Sequence, residues 1–318
     1  MARPDRESLK PYTALLWLLR VAVALQGVGV AIQYLFHEFE QESDIFSVLV
    51  FEWRWREKWA MAVDDAGSWC YLAASMIVLF IPLAVRLLGY DLRGTRPRLV
   101  FQTLPLIYIA IWQFLLILAA WHRESGFLPS WAPLGATPHL TIPLVFFSQS
   151  ARVGLPIALI LLTSAVEPPR AKRVEAGMWV LRGTAAATFI GHGVEALYLH
   201  PQFVDYLLAA ANNQLGWDAS ESTMSFILRL IGSIDILLAV LILVARWRAV
   251  AAYMACWAFI TACSRVVHSD WQALYEVCIR SANYCVPLAV CLYWHMCRRA
   301  KSDQQNSNSE DRGARDEP

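Results

Sequence analysis

The amino-acid sequence repeats itself in outline, and a duplicated chain has few ways to fold. Trp17-Leu18-Leu19-Arg20 returns as Trp179-Val180-Leu181-Arg182, Gly27-Val28-Gly29-Val30 as Gly191-His192-Gly193-Val194, and Gly67-Ser68 as Gly232-Ser233. Further on, Arg96-Pro97-Arg98-Leu99-Val100 returns as Arg246-Trp247-Arg248-Ala249-Val250. Ser150-Ala151-Arg152-Val153-Gly154-Leu155-Pro156 returns as Ser281-Ala282-Asn283-Tyr284-Cys285-Val286-Pro287. The order is kept over about 150 residues, the signature of a fused duplication. In this register His192 stands where the first copy has Val28, and Asp235 where it has Cys70. The first copy reads as scaffold and the second as the copy that carries a polar site.

Each copy is built from apolar runs. The chain is 57% hydrophobic and 17% charged, with 14 tryptophans, the composition of a membrane protein and not of a soluble domain. A span needs about 20 apolar residues. Eight runs qualify, at 13–36, 66–88, 99–121, 141–165, 179–200, 224–245, 249–270 and 274–296, the third and seventh having polar ends. The expected fold is all-α: a polytopic membrane protein of eight transmembrane helices, arranged as two parallel-repeat four-helix bundles. The first bundle covers 1–165 and the second 179–299, with a cytoplasmic linker at 166–178 that contains Pro168-Pro169. The polar tail from 300 to 318 is expected to be disordered.

Basic residues set the orientation. Arg3, Arg6, Lys10, Arg86, Arg93, Arg96, Arg98, Arg170, Lys172, Arg173, Arg246 and Arg248 fall on one side with the tail, against Arg54, Arg56, Lys58 and Arg123 on the other. The positive-inside rule then places both termini in the cytoplasm, and an even number of helices per copy makes the repeats parallel. Ala22-Val23-Ala24 looks like a signal cleavage site, but the apolar run continues past it and matches an internal span, so it reads as an uncleaved helix. Between the first two spans of each copy lies an amphipathic stretch, at 45–59 and 202–215. Both stretches read either as helices in the outer interface, where indole rings are favoured, or as a lid of loop packed on the bundle. Six of the seven cysteines crowd the last two spans without a CxxC pair, and packing explains them.

A charge in hydrocarbon costs several kcal/mol unless it is paired or wetted. The second copy carries His192 and Glu195, Arg229 and Asp235, Arg265 and His268, and Arg280 with Asn283, one pair to each span. Helical spacing puts His192 with Glu195, Arg265 with His268, and Arg280 with Asn283 on shared faces. At 1.5 Å per residue, Asp235 falls near the midplane and the others in the outer half. One polar cluster is expected, in which Asp235 and Glu195 pair with Arg280 and Arg265 and handle protons. Arg20 and Arg182 read as snorkelling residues, and Arg229 and His268 as interfacial anchors. A metal site from His192, Glu195 and His268 is not demanded by any ligand spacing. No phosphate loop, HExxH or nucleophile elbow is present, and no basic stripe points to nucleic acid.

These residues resemble the DoxX family of small four-helix membrane proteins. The likeness rests on Leu181-Arg182, His192-Gly193, Pro201-Gln202-Phe203, Leu230-Ile231-Gly232-Ser233-Ile234-Asp235, Arg248, Arg280-Ser281-Ala282-Asn283 and Pro287. It covers roughly 179–296, with 13–165 as a diverged copy. The chain departs from the family at Glu195 and Ala196, where a basic residue often stands. The resemblance implies a four-helix bundle in a bacterial inner membrane. Some members are subunits of thiosulfate:quinone oxidoreductase, and fold alone assigns no activity.

Two functions are expected from this reading. The first is the integral membrane subunit of a quinone-linked oxidoreductase, with Asp235, Glu195 and His192 handling protons and Arg280, Asn283 and Arg265 binding quinone. No haem, flavin or iron–sulfur motif is legible, so electrons would come from a partner protein. The alternative is a non-enzymatic module that binds a partner protein or lipid through its outer Trp-rich lid. A transporter ranks last, because the repeats are parallel and no span looks interrupted. The topology is checked with C-terminal fusions: green fluorescent protein is expected to fluoresce there, and alkaline phosphatase to stay inactive.

Overall fold

The computed structural model describes residues 6–35, 42–88, 99–125, 144–163 and 171–313, with no strand among them. Helix α1 (Arg6–Leu35) is followed by α2 (Asp44–Ser47), which runs into a π-helical turn at Val48–Glu52, and then by α3 (Glu57–Leu88). A second π turn, Leu99–Thr103, leads into α4 (Leu104–Ser125), and a helical turn at 144–148 precedes α5 (Ser150–Thr163). The second half runs α6 (Ala171–Leu197), α7 (Pro201–Ala209) with a π turn at Ala210–Gln214, α8 (Glu221–Val244), α9 (Arg248–Ser269), α10 (Leu274–Ile279) and α11 (Ser281–Gly313).

Among the described residues, five helical stretches are long and apolar enough to cross a membrane: Tyr12–Leu35, Glu57–Ala84, Val100–Arg123, Glu221–Val244 and Arg248–Ser269. A sixth is reached if Trp271–Ile279 and Ser281–Ala300 form one bent span. The third and seventh expected runs, whose ends are polar, both qualify. Exposure is inverted relative to a soluble protein. On α8, Leu230, Leu237, Val240 and Val244 lie outside, while Gly232, Asp235, Ala239 and Ile242 face inward. Carbon outward and carboxylate inward is the partition expected when the surroundings are hydrocarbon.

The two amphipathic stretches follow the same backbone path. In the first, Trp53 N–H donates to Val48 O and Trp55 N–H to Leu49 O; in the second, Leu215 N–H donates to Ala210 O and Trp217 N–H to Ala211 O. Each path turns through one residue with positive φ, Arg54 at 58° and Gly216 at 64°. Glycine takes that conformation without strain and arginine does not. Asp64 on α3 anchors the first stretch: its carboxylate accepts from Ser43 Oγ at 2.6 Å, and Ser43 Oγ in turn accepts from Phe46 N–H as the N-cap of α2.

Packing is equally paired. Helix α1 packs on α3 and α6 on α8, while α1 also packs on α10 and α11, and α6 on α5. Close approach is made by glycine in both places. A Cβ at Gly29 would lie 2.5 Å from Ile279 N, at the end of α10, and one at Gly191 would collide with the Ser148 backbone. Two serines seal these contacts: Ser281 Oγ donates to Ala22 O at 2.7 Å, and Ser150 Oγ to Thr184 O at 2.9 Å.

Several expectations are corrected. The last helix of the second half is interrupted at Arg280, where α10 and α11 meet at 49°, and a turn at Gln149 separates 144–148 from α5. Interruption was not legible because both breaks lie inside continuous apolar runs. Arg182 does not snorkel. It is buried, donates to Ile242 O and Leu243 O at the C-terminal end of α8, and stacks on Trp179. A guanidinium there satisfies carbonyls that the helix end leaves open. Helix α6 already begins at Ala171, within the stretch read as a linker, and α11 runs on to Gly313. Arg96-Pro97-Arg98, Pro168-Pro169 and 314–318 lie outside the described residues.

Gly29→Ala and Gly191→Ala are each expected to destabilise the protein by about 1–3 kcal/mol through overpacking against backbone. Gly183, with nothing within 4 Å of its Cβ position, is the control: Gly183→Ala is expected to raise the thermal unfolding midpoint slightly. Circular dichroism melts in detergent check the sign of all three.

Candidate functional site

The helices of the second half enclose a cavity of about 230 Å³, roofed by α7. Apolar side chains make most of its wall, among them Phe189 on α6, Leu228 and Ile231 on α8, and Trp257 and Ile260 on α9. A few polar groups converge on it: His192 from α6, Asp235 from α8, Arg265 from α9, and Arg280 and Asn283 at the break between α10 and α11. Five of the six residues singled out from sequence therefore line one pocket. The sixth, Glu195, stands behind His192, whose Nδ1 lies 2.9 Å from Glu195 Oε2.

The pairing inside this cluster differs from the expected one. Arg265 and Arg280 do not pair with Asp235 and Glu195. Both converge on Glu276, a residue the sequence reading did not single out. Glu276 Oε2 accepts from Arg280 Nη1 at 2.7 Å and lies 2.9 Å from Arg265 Nε, an ion pair whose angle is too poor for a hydrogen bond. Glu276 and Arg280 are four apart, with the acid N-terminal, the favourable helical order. That spacing was the available signal, hidden because Glu276 sits at the very edge of its span. Arg265 is held further by Thr261 O at 2.8 Å and lies over the Tyr206 ring at 5.2 Å.

With the guanidinium groups thus occupied, Asp235 and Asn283 are left unfinished. Asp235 is buried, at 6% exposure. Trp257 stands on the same pocket wall, and Asp235 Oδ1 has no hydrogen-bond partner among the described residues. Asn283 Oδ1 has none either. Two orphan acceptors on one apolar pocket are costly to keep, and a ligand with O–H or N–H groups would complete them.

Other candidates fall elsewhere. Arg229 and His268 are exposed and off the pocket wall, and His268 meets the Tyr206 ring edge-on at 5.2 Å. No group of three metal-binding side chains forms among the described residues. His200, in the connection before α7, lies against the Phe203 ring at 5.1 Å with the rings tilted by 35°.

The first half is not the plain scaffold its sequence suggests. Gln26 Nε2 donates to Tyr71 Oη at 2.6 Å and to Gln113 Oε1 at 3.3 Å, and Gln113 passes the chain on to Gln149. Arg152 ends this chain, donating to Gln149 Oε1 at 3.3 Å. Sequence reasoning quoted Arg152 only as part of a repeated motif.

No protein-family model, curated protein or solved structure matches this chain. The chemistry of the pocket stands on its own geometry.

Glu276→Gln leaves Arg265 and Arg280 half-buried or deeper without a carboxylate, and is expected to cost about 3 kcal/mol. Asp235→Asn removes a charge that has no cationic partner and is expected to leave the unfolding midpoint level or raised. Thermal melts of the two variants side by side test whether the ion pair holds the fold while Asp235 does not.

Proposed function

We propose that the chain is an integral membrane protein of eight spans, folded as two parallel copies of a DoxX-like four-helix unit. We propose further that the second copy holds a quinone headgroup for a membrane oxidoreductase complex. The matched serine bonds of Ser150 and Ser281 and the matched contacts of Gly29 and Gly191 support the repeat. They favour a register in which Gly191 corresponds to Gly29, so that His192 replaces Val30 rather than Val28. Helix α6 carries too many polar groups to cross alone, and its neighbours α5, α8 and α11 shield it.

The pocket carries the functional reading: an apolar wall with few convergent polar groups is the usual form of a small-molecule site, and here two of those groups lack partners. A bound quinone supplies two-electron, two-proton redox chemistry. Asn283 and Arg280 offer N–H donors to a carbonyl oxygen, and Asp235 Oδ1 is free to accept an O–H or pass a proton. The His192–Glu195 pair, 31% and 14% exposed, is placed to exchange protons with water. Ile260 lines the pocket yet is 57% exposed on α9, which gives an isoprenoid tail an exit towards lipid. Electrons come from a redox partner protein.

The second reading, a module that binds a partner or lipid through its outer lid, draws on the exposed rings of Trp53, Trp55, Trp59 and Trp217. Quinone content separates the two. Protein in native-lipid nanodiscs is expected to retain close to one quinone per chain, and Asp235→Asn/Asn283→Leu to lose most of it. Quinone no higher than in an unrelated membrane protein would end the oxidoreductase reading in favour of the module.

A further inference from the structure

Across the break at Arg280 lies a second cavity, of about 330 Å³, between the two halves of the chain. Its wall is mostly polar, with Tyr34 from α1, Gln113 from α4, Gln149 and Arg152 at the start of α5, and Glu276 and Arg280 beside the second break. Charge in this cavity does not balance. Glu276 is already shared by Arg265 and Arg280, and Asp44, also on the wall, pairs with Arg123. Arg152 has no carboxylate partner among the described residues. Its side chain donates to the neutral Gln149 amide, and its Nε is buried without an acceptor among the described residues.

A guanidinium does not shed its proton to escape burial as a lysine or histidine can. The positive charge of Arg152 therefore persists and calls for a counter-charge. Its position in the first turn of α5 compounds the need, because the helix dipole is positive at that end. The neutral Gln26–Gln113–Gln149 chain orients the cation without neutralising it.

We propose that this cavity is an anion site that takes a small oxyanion, a carboxylate or a phosphate or sulfate group, on the Arg152 guanidinium. The planar fork of Arg152 presents parallel N–H groups to two oxygens. Gln113 has a second amide hydrogen to offer, and the Tyr34 hydroxyl stands on the same wall. Arg280 closes the far side, so the anion and the proposed quinone would share one cation between them. The anion site does not rest on the quinone reading and is tested without it.

The test follows the thermal midpoint of the protein in zwitterionic nanodiscs as sodium sulfate, phosphate or acetate replaces chloride at constant ionic strength. At least one of the three is expected to raise the midpoint saturably, by about 4 °C or more. Arg152→Gln is expected to abolish the rise, and Gln113→Leu to weaken the apparent affinity at least threefold. If Arg152→Gln does not fold, the wild-type titration and Gln113→Leu decide. Nanodiscs containing phosphatidylglycerol identify the source: a raised midpoint with the free-anion effect lost marks a lipid phosphate as the occupant. An unchanged free-anion effect marks a soluble anion. No saturable response to any anion or to phosphatidylglycerol overturns the proposal, as does a response unaltered in both variants.

Discussion

A helix interrupted among apolar neighbours must find partners for the polar groups the interruption releases, because hydrocarbon offers none. The breaks at Gln149 and Arg280 impose that demand twice, and much of the surrounding structure answers it. Ser150 and Ser281, one residue past each break, reach across to carbonyls of the first helix of the opposite half. Gly29 and Gly191 let those first helices approach closely enough for the bonds to form. Arg280 itself turns back to Glu276, four residues earlier, and draws Arg265 in with it.

The same interruptions create the two cavities. Arg280 stands on the wall of both, with an apolar pocket on one side and a polar chamber on the other. The division of labour follows from how completely each group is satisfied. Glu276 is shared by two guanidinium groups, which ties Arg265 on α9 to the break at Arg280. Asp235, Asn283 and Arg152 each keep an atom without a partner on a cavity wall, where a bound ligand could supply one. In the proposed function Asp235 and Asn283 face the quinone, and in the separate anion proposal Arg152 faces the oxyanion.

Legibility from sequence followed the range of the interaction. The His192–Glu195 pair was readable because both partners lie on one helix three residues apart. The convergence of His192, Asp235, Arg265, Arg280 and Asn283 was readable because a charge in an apolar helix has to turn inward, and inward directions meet. Which carboxylate serves which arginine was not readable. Glu276 lies at the end of its span, where a charge needs no explanation, and only the bend at Arg280 turns it back towards Arg265. Arg152 was hidden by its copy: the repeat marked the first half as scaffold, and Asn283 at the matching position is neutral.

By itself, the sequence determined that the chain is helical, apolar on its outside and polar at a few inward positions, because each of those properties follows from the spacing and transfer energy of single side chains. The paired amphipathic stretches at 45–59 and 202–215 belong to this category, since amphipathic composition is local. The tertiary structure alone decided where the last helices break, which groups pair across the two halves, and which are left over. Those outcomes depend on contacts between residues more than a hundred positions apart, such as Ser281 with Ala22, and no local pattern in the chain encodes them.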